Sequence, residues 1–258
     1  MKKTTQNLRI WIVGGSQGIG LELVKIWLAQ GHSVIASARN AEDSADLADL
    51  KQRFTKLSCL NLDVTDAADC QAKSHQAWSL HNGLDMWFYN VGAYQPMRIK
   101  EWDWESFKFM NQANYLGAVS LMLALQPLFS KQGAGRWVWN ASLASYFGLP
   151  YGGGYSAPKA ALVNLAESLQ PELAEADIQL QIINHGFVKT RLTAKNTFEM
   201  PGLVEPKQAA YLINKGLQKS SGFEIRFPFG LRAMLSLLKV LPYRWSLGLT
   251  KKMLNKET

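Results

Sequence analysis

The sequence predicts an α/β fold, a doubly wound parallel sheet of about seven strands with helices on both faces. Three observations predict it. Short apolar runs alternate with segments of helical period along most of the 258 residues, and a βαβα series builds a mostly parallel sheet. Right-handed crossovers then place helices on both faces. A glycine cluster lies between the first apolar run and the first helical segment, where a doubly wound fold makes its first strand-to-helix turn.

The elements follow in order. The first strand is expected at 9–13 (RIWIV). A helix is expected at 18–30, where Ile19, Leu23, Ile26 and Trp27 repeat at helical spacing and Gly31 stands where a C-terminal glycine belongs. Strands are then expected at 33–37, 57–62, 84–89, 136–140, 179–183 and 223–227, each a short apolar run between breakers. Helices are expected near 43–53, 66–81, 104–131, 155–176 and 206–220. No linker or repeat divides the chain, so one domain over residues 1–258 is expected, with a basic helical extension at 229–258.

Composition excludes other classes. Apolar residues make up 47% and charged residues 19%, against the pattern of a disordered chain. Two cysteines, Cys59 and Cys70, cannot staple a chain of this length and read as reduced thiols. His32, His75, His81 and His185 are scattered, so no metal site is expected. The run Ile10–Val13 is too short for a signal-peptide core, and no stretch is long enough to span a bilayer. A cytoplasmic location is expected. The net charge of +8 is uneven: residues 1–222 carry 21 Lys/Arg against 18 Asp/Glu, and 223–258 carry seven against two. A nucleic-acid-binding domain would spread its basic stripe over the fold, and no nucleic acid is expected as a partner.

The first strand runs into Gly14-Gly15-Ser16-Gln17-Gly18-Ile19-Gly20 and then a helix. Glycine lets the backbone turn and approach a ligand closely, and the helix start offers free N–H groups to a phosphate. Tyr155-Ser156-Ala157-Pro158-Lys159 follows about 135 residues later, with Ser142 thirteen residues before the tyrosine. GxxxGxG with Ser and YxxxK in this order resembles the short-chain dehydrogenase/reductase family, over roughly residues 8–228. Asp63-Val64, Asn90-Val91-Gly92, Asn114, Val188 and Thr190 fall in the expected order. The resemblance implies a Rossmann-type fold and hydride transfer with a nicotinamide cofactor. The sequence departs from the family pattern at Val13, Tyr89, Val91, Ala141, Pro158 and His185. Pro158 is tolerable if its helix begins near Tyr155, since first-turn N–H groups lack intrahelical partners.

Tyr155 and Lys159 are four apart on one predicted helix and share a face. A free tyrosine titrates near about 10, and a neighbouring ammonium lowers that value. Tyr155 then serves as general acid in carbonyl reduction, or as base in alcohol oxidation. Alone, such a pair is an ordinary solvated contact; Ser142 and the glycine loop turn the reading to catalysis. Ser142, past the fifth strand, can donate to the substrate oxygen. The resemblance implies that Lys159 also holds the nicotinamide ribose and that Asn114 orders a water in the proton relay. Asn114 could equally hydrogen-bond within its own helix.

An NAD site needs a carboxylate at the end of the second strand. That place is Ala38, and Arg39 follows. A guanidinium suits a 2′-phosphate, so NADP(H) is expected. Cofactor contacts are expected at Gly14, Ser16, Gln17, Gly18, Ile19, Arg39, Asp63, Val64, Asn90, Gly92, Tyr155, Lys159, Val188 and Thr190, with Asp63 resembling the residue that receives the adenine amino group.

The pocket wall is expected at Tyr94, Leu149, Tyr151, Leu192, Phe198 and Met200, with Trp102 and Trp104 nearby. Arg98 and Arg191 are the charged candidates. A small hydrophobic ketone or aldehyde, or its alcohol, is the expected substrate, and a homodimer or homotetramer the expected assembly. Two other readings stand beside it. One is a non-catalytic NADP(H) sensor on the same fold. The other is epimerase or dehydratase chemistry, for which little chain remains after residue 192.

Past Pro228, residues 230–241 predict a helix with Leu231, Met234, Leu235, Leu238 and Leu241 on one face. A second basic segment is expected at 243–254 (YRWSLGLTKKML). The apolar face is expected to pack on the body, over the pocket mouth or at a subunit contact. A weak, salt-sensitive contact of 229–258 with an anionic membrane is the alternative.

Overall fold

The computed structural model describes residues 7–219 and 222–254; residues 1–6, 220–221 and 255–258, with the ends of the expected helix 206–220 and of the tail, lie outside the described residues. Seven strands form one parallel sheet: β1 (Arg9–Val13), β2 (Ser33–Ala38), β3 (Leu57–Asn61), β4 (Met86–Tyr89), β5 (Gly135–Asn140), β6 (Ile178–His185) and β7 (Glu224–Phe227). Their order is β3-β2-β1-β4-β5-β6-β7. The order reverses beside β1, which pairs with β2 on one side and β4 on the other. That reversal is where doubly wound sheets open a crevice at the strands' carboxyl ends.

Alternation along the strands builds two cores. One face carries Trp11, Val13, Trp87, Tyr89, Trp137 and Trp139. Trp11, Trp87 and Trp137 stand opposite one another on β1, β4 and β5. Against them pack α3 (Ala67–Leu80), α5 (Gly117–Gln132) and α6 (Gly153–Glu175), through residues such as Ala77, Phe129 and Leu162. The other face carries Ile10, Ile12, Val34, Phe88 and Val138 under α1 (Gly18–Ala29), α2 (Ala45–Arg53) and α7 (Pro206–Lys219). The period-2 side-chain alternation of a strand produces this division.

Three elements differ from expectation. The segment 104–131 is not one helix. It holds α4 (Trp104–Asn111), a π turn at Gln112–Leu116 and then α5. Asn114 sits inside the π turn, where its side chain bonds the Ala93 backbone twice, at 3.0 and 2.7 Å. The family departure at Tyr89 has a role here, since its hydroxyl donates to the Ala113 carbonyl at 2.6 Å. Second, α6 begins at Gly153 rather than near Tyr155, so Pro158 is the helix's sixth residue and lies past its first turn.

The third concerns the tail. Helix α8 (Phe229–Val240) buries Leu231, Leu235 and Leu238 against Leu143, Tyr146, Leu149 and Phe187, as body packing requires. Helix α9 (Tyr243–Lys251) does the opposite: its buried residues are Ser246 and Thr250. Among the described residues, no helix is long and apolar enough to cross a membrane.

Candidate active site

Three hydrogen bonds fix the glycine loop. Gly14 and Gly15 N–H both donate to the Ser37 carbonyl of β2, at 2.7 and 3.0 Å. The Gly14 carbonyl accepts from the Asn90 amide at 2.8 Å, and Asn90 in turn accepts from Asn140 at 2.7 Å. Glycine is sterically required at Gly18 and Gly20, as it is at Gly14. Gly18 holds φ +56°, and a Cβ on Gly20 would lie 1.9 Å from the Gly14 carbonyl oxygen. Side chains cap α2, α3 and α4 from Ser44, Asp66 and Asp103, whereas Gln17 offers none to α1. The first-turn N–H groups of α1 thus face the crevice without a side-chain cap.

One cleft of about 540 Å³ runs from this loop to the end of β5. It is lined by Gly14, Ser16, Gln17, Gly18 and Ile19, then Arg39, Asp63 and Val64, then Asn90 and Gly92. At its far end lie Ser142, Tyr155 and Lys159, with Val188 and Thr190 closing one side. The whole expected cofactor set therefore falls in one cavity. Arg39 is exposed at its rim. One Asp63 oxygen is held by the Thr65 N–H and hydroxyl, at 2.9 and 2.7 Å.

The Ser142 hydroxyl accepts from the Ala144 N–H at 3.1 Å, and its backbone N–H donates to the buried Asn184 amide at 3.1 Å. Asn184 is held in turn by Glu224 at 2.8 Å. Lys159 is 2% exposed. Its ammonium donates to the carbonyls of Asn140 at 2.8 Å and Val91 at 3.1 Å. Burial pushes its pKa down from 10.5 to about 7. Lys159 Nζ lies 5.9 Å from the Tyr155 ring centre.

Tyr155 departs from the simple expectation. Burial raises its pKa, and the neighbouring Ser142 hydroxyl pulls it the other way. Tyr94 packs edge-on against Tyr155 at 5.3 Å and donates to Asn196 at 2.9 Å, with its own pKa pushed up to about 12 by burial. His185 lines the cleft, stacked on Phe227 and with Nδ1 2.7 Å from the Gly186 carbonyl. Burial lowers its pKa to about 4, so the ring is neutral.

The expected substrate wall is only partly assembled. Tyr94, Leu149, Leu192, Phe198 and Arg191 line the cleft. Tyr151 does not. Its backbone takes φ +63°, and its ring lies under the Arg98 guanidinium in a separate recess with Met97 and Trp102. Trp102 and Trp104 are exposed, and Met200 meets Asn196. Leu143 and Phe187, which sequence reading missed, also line the cleft, as do Leu231 and Leu235 of the face expected on the body or over the pocket mouth. The apolar spacing of α8 carried the signal for the last two.

A glycine-turned helix start at the switch point of a parallel sheet defines a dinucleotide-binding protein. Comparison with known proteins sharpens this. A family model described as short chain dehydrogenase matches residues 9–200. An uncharacterised oxidoreductase of Myxococcus xanthus is 33% identical over 90% of this chain and 91% of its own. Oxidoreductase BOA17 of Botryotinia fuckeliana is 29% identical over 90% and 84%. Among solved structures, a short-chain dehydrogenase from Burkholderia cenocepacia in complex with NADP superposes with a TM-score of 0.81 at 19% identity, covering 97% of this chain and 98% of that one. A Streptomyces avermitilis short-chain dehydrogenase gives 0.79 at 22% identity, covering 96% and 98%. The chain belongs to the short-chain dehydrogenase family, and it is an oxidoreductase of that family.

Proposed function

We propose that the protein is an NADPH-dependent carbonyl reductase acting on a hydrophobic ketone or aldehyde, or in reverse on the alcohol. One observation carries the reading: Ser142, Tyr155 and Lys159 meet at one end of a cleft whose other end holds the glycine turn and Arg39. The residues fit the cofactor. The α1 N-terminus has no side-chain cap and suits a pyrophosphate. Arg39, with no carboxylate at Ser37 or Ala38, suits a 2′-phosphate. When bound, the nicotinamide supplies or accepts the hydride.

The chain's own residues handle the oxygen and its proton. Ser142, held by Asn184, can donate to the carbonyl oxygen. Tyr155, whose pKa burial raises, keeps its proton at neutral pH and can give it to that oxygen, which suits reduction. The Lys159 ammonium stabilises the tyrosinate left behind, and protonation near pH 7 makes that help pH-dependent. Leu143, Leu149, Phe187, Leu192, Leu231 and Leu235 give the cleft an apolar wall, which favours a hydrophobic substrate. The test is a fluorescence titration with NADPH and NADH, followed by a panel of ketones and aldehydes monitored by NADPH absorbance. Tighter binding of NADPH and its consumption with apolar carbonyls are expected. Binding without turnover across the panel would give the site to an NADP(H) sensor instead.

A further inference from the structure

The two C-terminal helices turn large apolar side chains toward solvent. On α8, the side away from Leu231 and Leu235 carries Phe229, Leu237 and Val240, of which Val240 is 78% exposed. On α9, contact with the body falls to Ser246 and Thr250, four residues apart. Trp245 and Leu249 stand on one flank and Tyr243 and Leu247 on the other, all exposed, with Tyr243 at 77%. A helix that only packs on its own body hides its apolar residues and shows its polar ones. Apolar groups concentrated in this way mark an interaction surface.

The charge on the same two helices identifies what covers them. Residues 228–254 contain five cations, Arg232, Lys239, Arg244, Lys251 and Lys252, and no Asp or Glu. At helical spacing, Arg244, Lys251 and Lys252 lie on the side of α9 opposite Ser246 and Thr250, and all three are exposed. Arg232 sits over the Phe229 ring at 4.8 Å, so cation and aromatic ring already share one site.

We propose that α8 and α9 dock the protein on a bilayer surface bearing anionic headgroups. Arg244, Lys251 and Lys252 meet the phosphates, while Phe229, Trp245 and Leu249 enter the interfacial layer. A basic helix with Trp and Leu flanks lies in the plane of such an interface. A second copy of this chain fits less well. A twofold contact sets a patch against itself, and here it would oppose cations to cations with no acid on either helix. The inner face of α8 lines the cleft through Leu231 and Leu235, so the docked helix is also a wall of the cleft. The docking itself does not depend on the proposed reductase activity.

The test floats the full-length protein with phosphatidylcholine vesicles, with and without phosphatidylserine. Binding is expected only with phosphatidylserine, and salt should release it. Each cation near such a surface contributes a factor of about five, so Arg244→Glu with Lys251→Glu and Lys252→Glu should lower partitioning by about 100-fold or more. Trp245→Ser with Leu249→Ser keeps every charge and should also weaken binding. All five positions are exposed, and unchanged melting temperatures confirm folding. Failure of the wild type to float with phosphatidylserine overturns the proposal, as does flotation of the charge-reversed variant like wild type. A dimer that the charge reversal splits, in a protein that ignores vesicles, gives the face to a second copy and overturns it too.

Discussion

Lys159→Met deletes a cation that folding buries, and the loss should be visible as a pH dependence of stability. The Lys159 pKa is about 7 in the folded protein, against an ordinary 10.5. Between those values the unfolded chain keeps a proton that the folded protein releases. Folding therefore bears the full cost of the buried charge below pH 7, and the cost fades as pH rises toward 10.5. Wild type should gain roughly 2 kcal/mol between pH 7 and about pH 9 that the methionine variant does not. A neutral amine still donates to both the Asn140 and Val91 carbonyls, so those bonds largely cancel in the comparison. His185 titrates near 4, outside the window. Thermal melts without cofactor provide the assay. The gap between wild type and variant should shift by about 4–8 °C in favour of wild type at the higher pH. A gap that stays constant with pH would refute the argument that Lys159 is buried at the expense of its charge.

Other perturbations test other parts of the site. Arg39→Ala should weaken NADPH binding by roughly 10–150-fold, the worth of a charge-assisted hydrogen bond, and leave NADH nearly unchanged in the same titration. Adding Ala38→Asp should move preference toward NADH. Gly20→Ala places a methyl 1.9 Å from the Gly14 carbonyl oxygen. It should cost about 1–3 kcal/mol in a denaturant melt and weaken NADPH binding with it. Equal stability and affinity would show that the loop relaxes freely.

Much of the fold and site was legible because it rests on short-range chemistry. Short apolar runs between breakers placed all seven strands to within about two residues, as at Arg9–Val13 and Glu224–Phe227. The glycine turn, Ser142 and the Tyr155/Lys159 spacing placed the two ends of one cleft. What stayed hidden depends on backbone geometry or distant partners. The π turn around Asn114 leaves no break in the helical pattern of 104–131. Gly153 and Gly154 are poor helix formers, so the sequence offers no sign that α6 starts at Gly153. Tyr151 takes a positive φ and turns from the cleft, which side-chain type does not reveal. The apolar spacing of α8 correctly gave its buried face. No such rule gave the orientation of α9, whose small polar Ser246 and Thr250 face the body.

The central claim is that Tyr155 gives the proton to a carbonyl oxygen in this cleft. Tyr155→Phe removes the hydroxyl and keeps the ring against Tyr94. The most direct measurement is the single-turnover rate of NADPH oxidation with the best carbonyl from the panel, for wild type and variant side by side. The rate should fall by about 10²–10⁴-fold while NADPH affinity stays within about twofold. A variant that turns over at close to the wild-type rate would contradict the account.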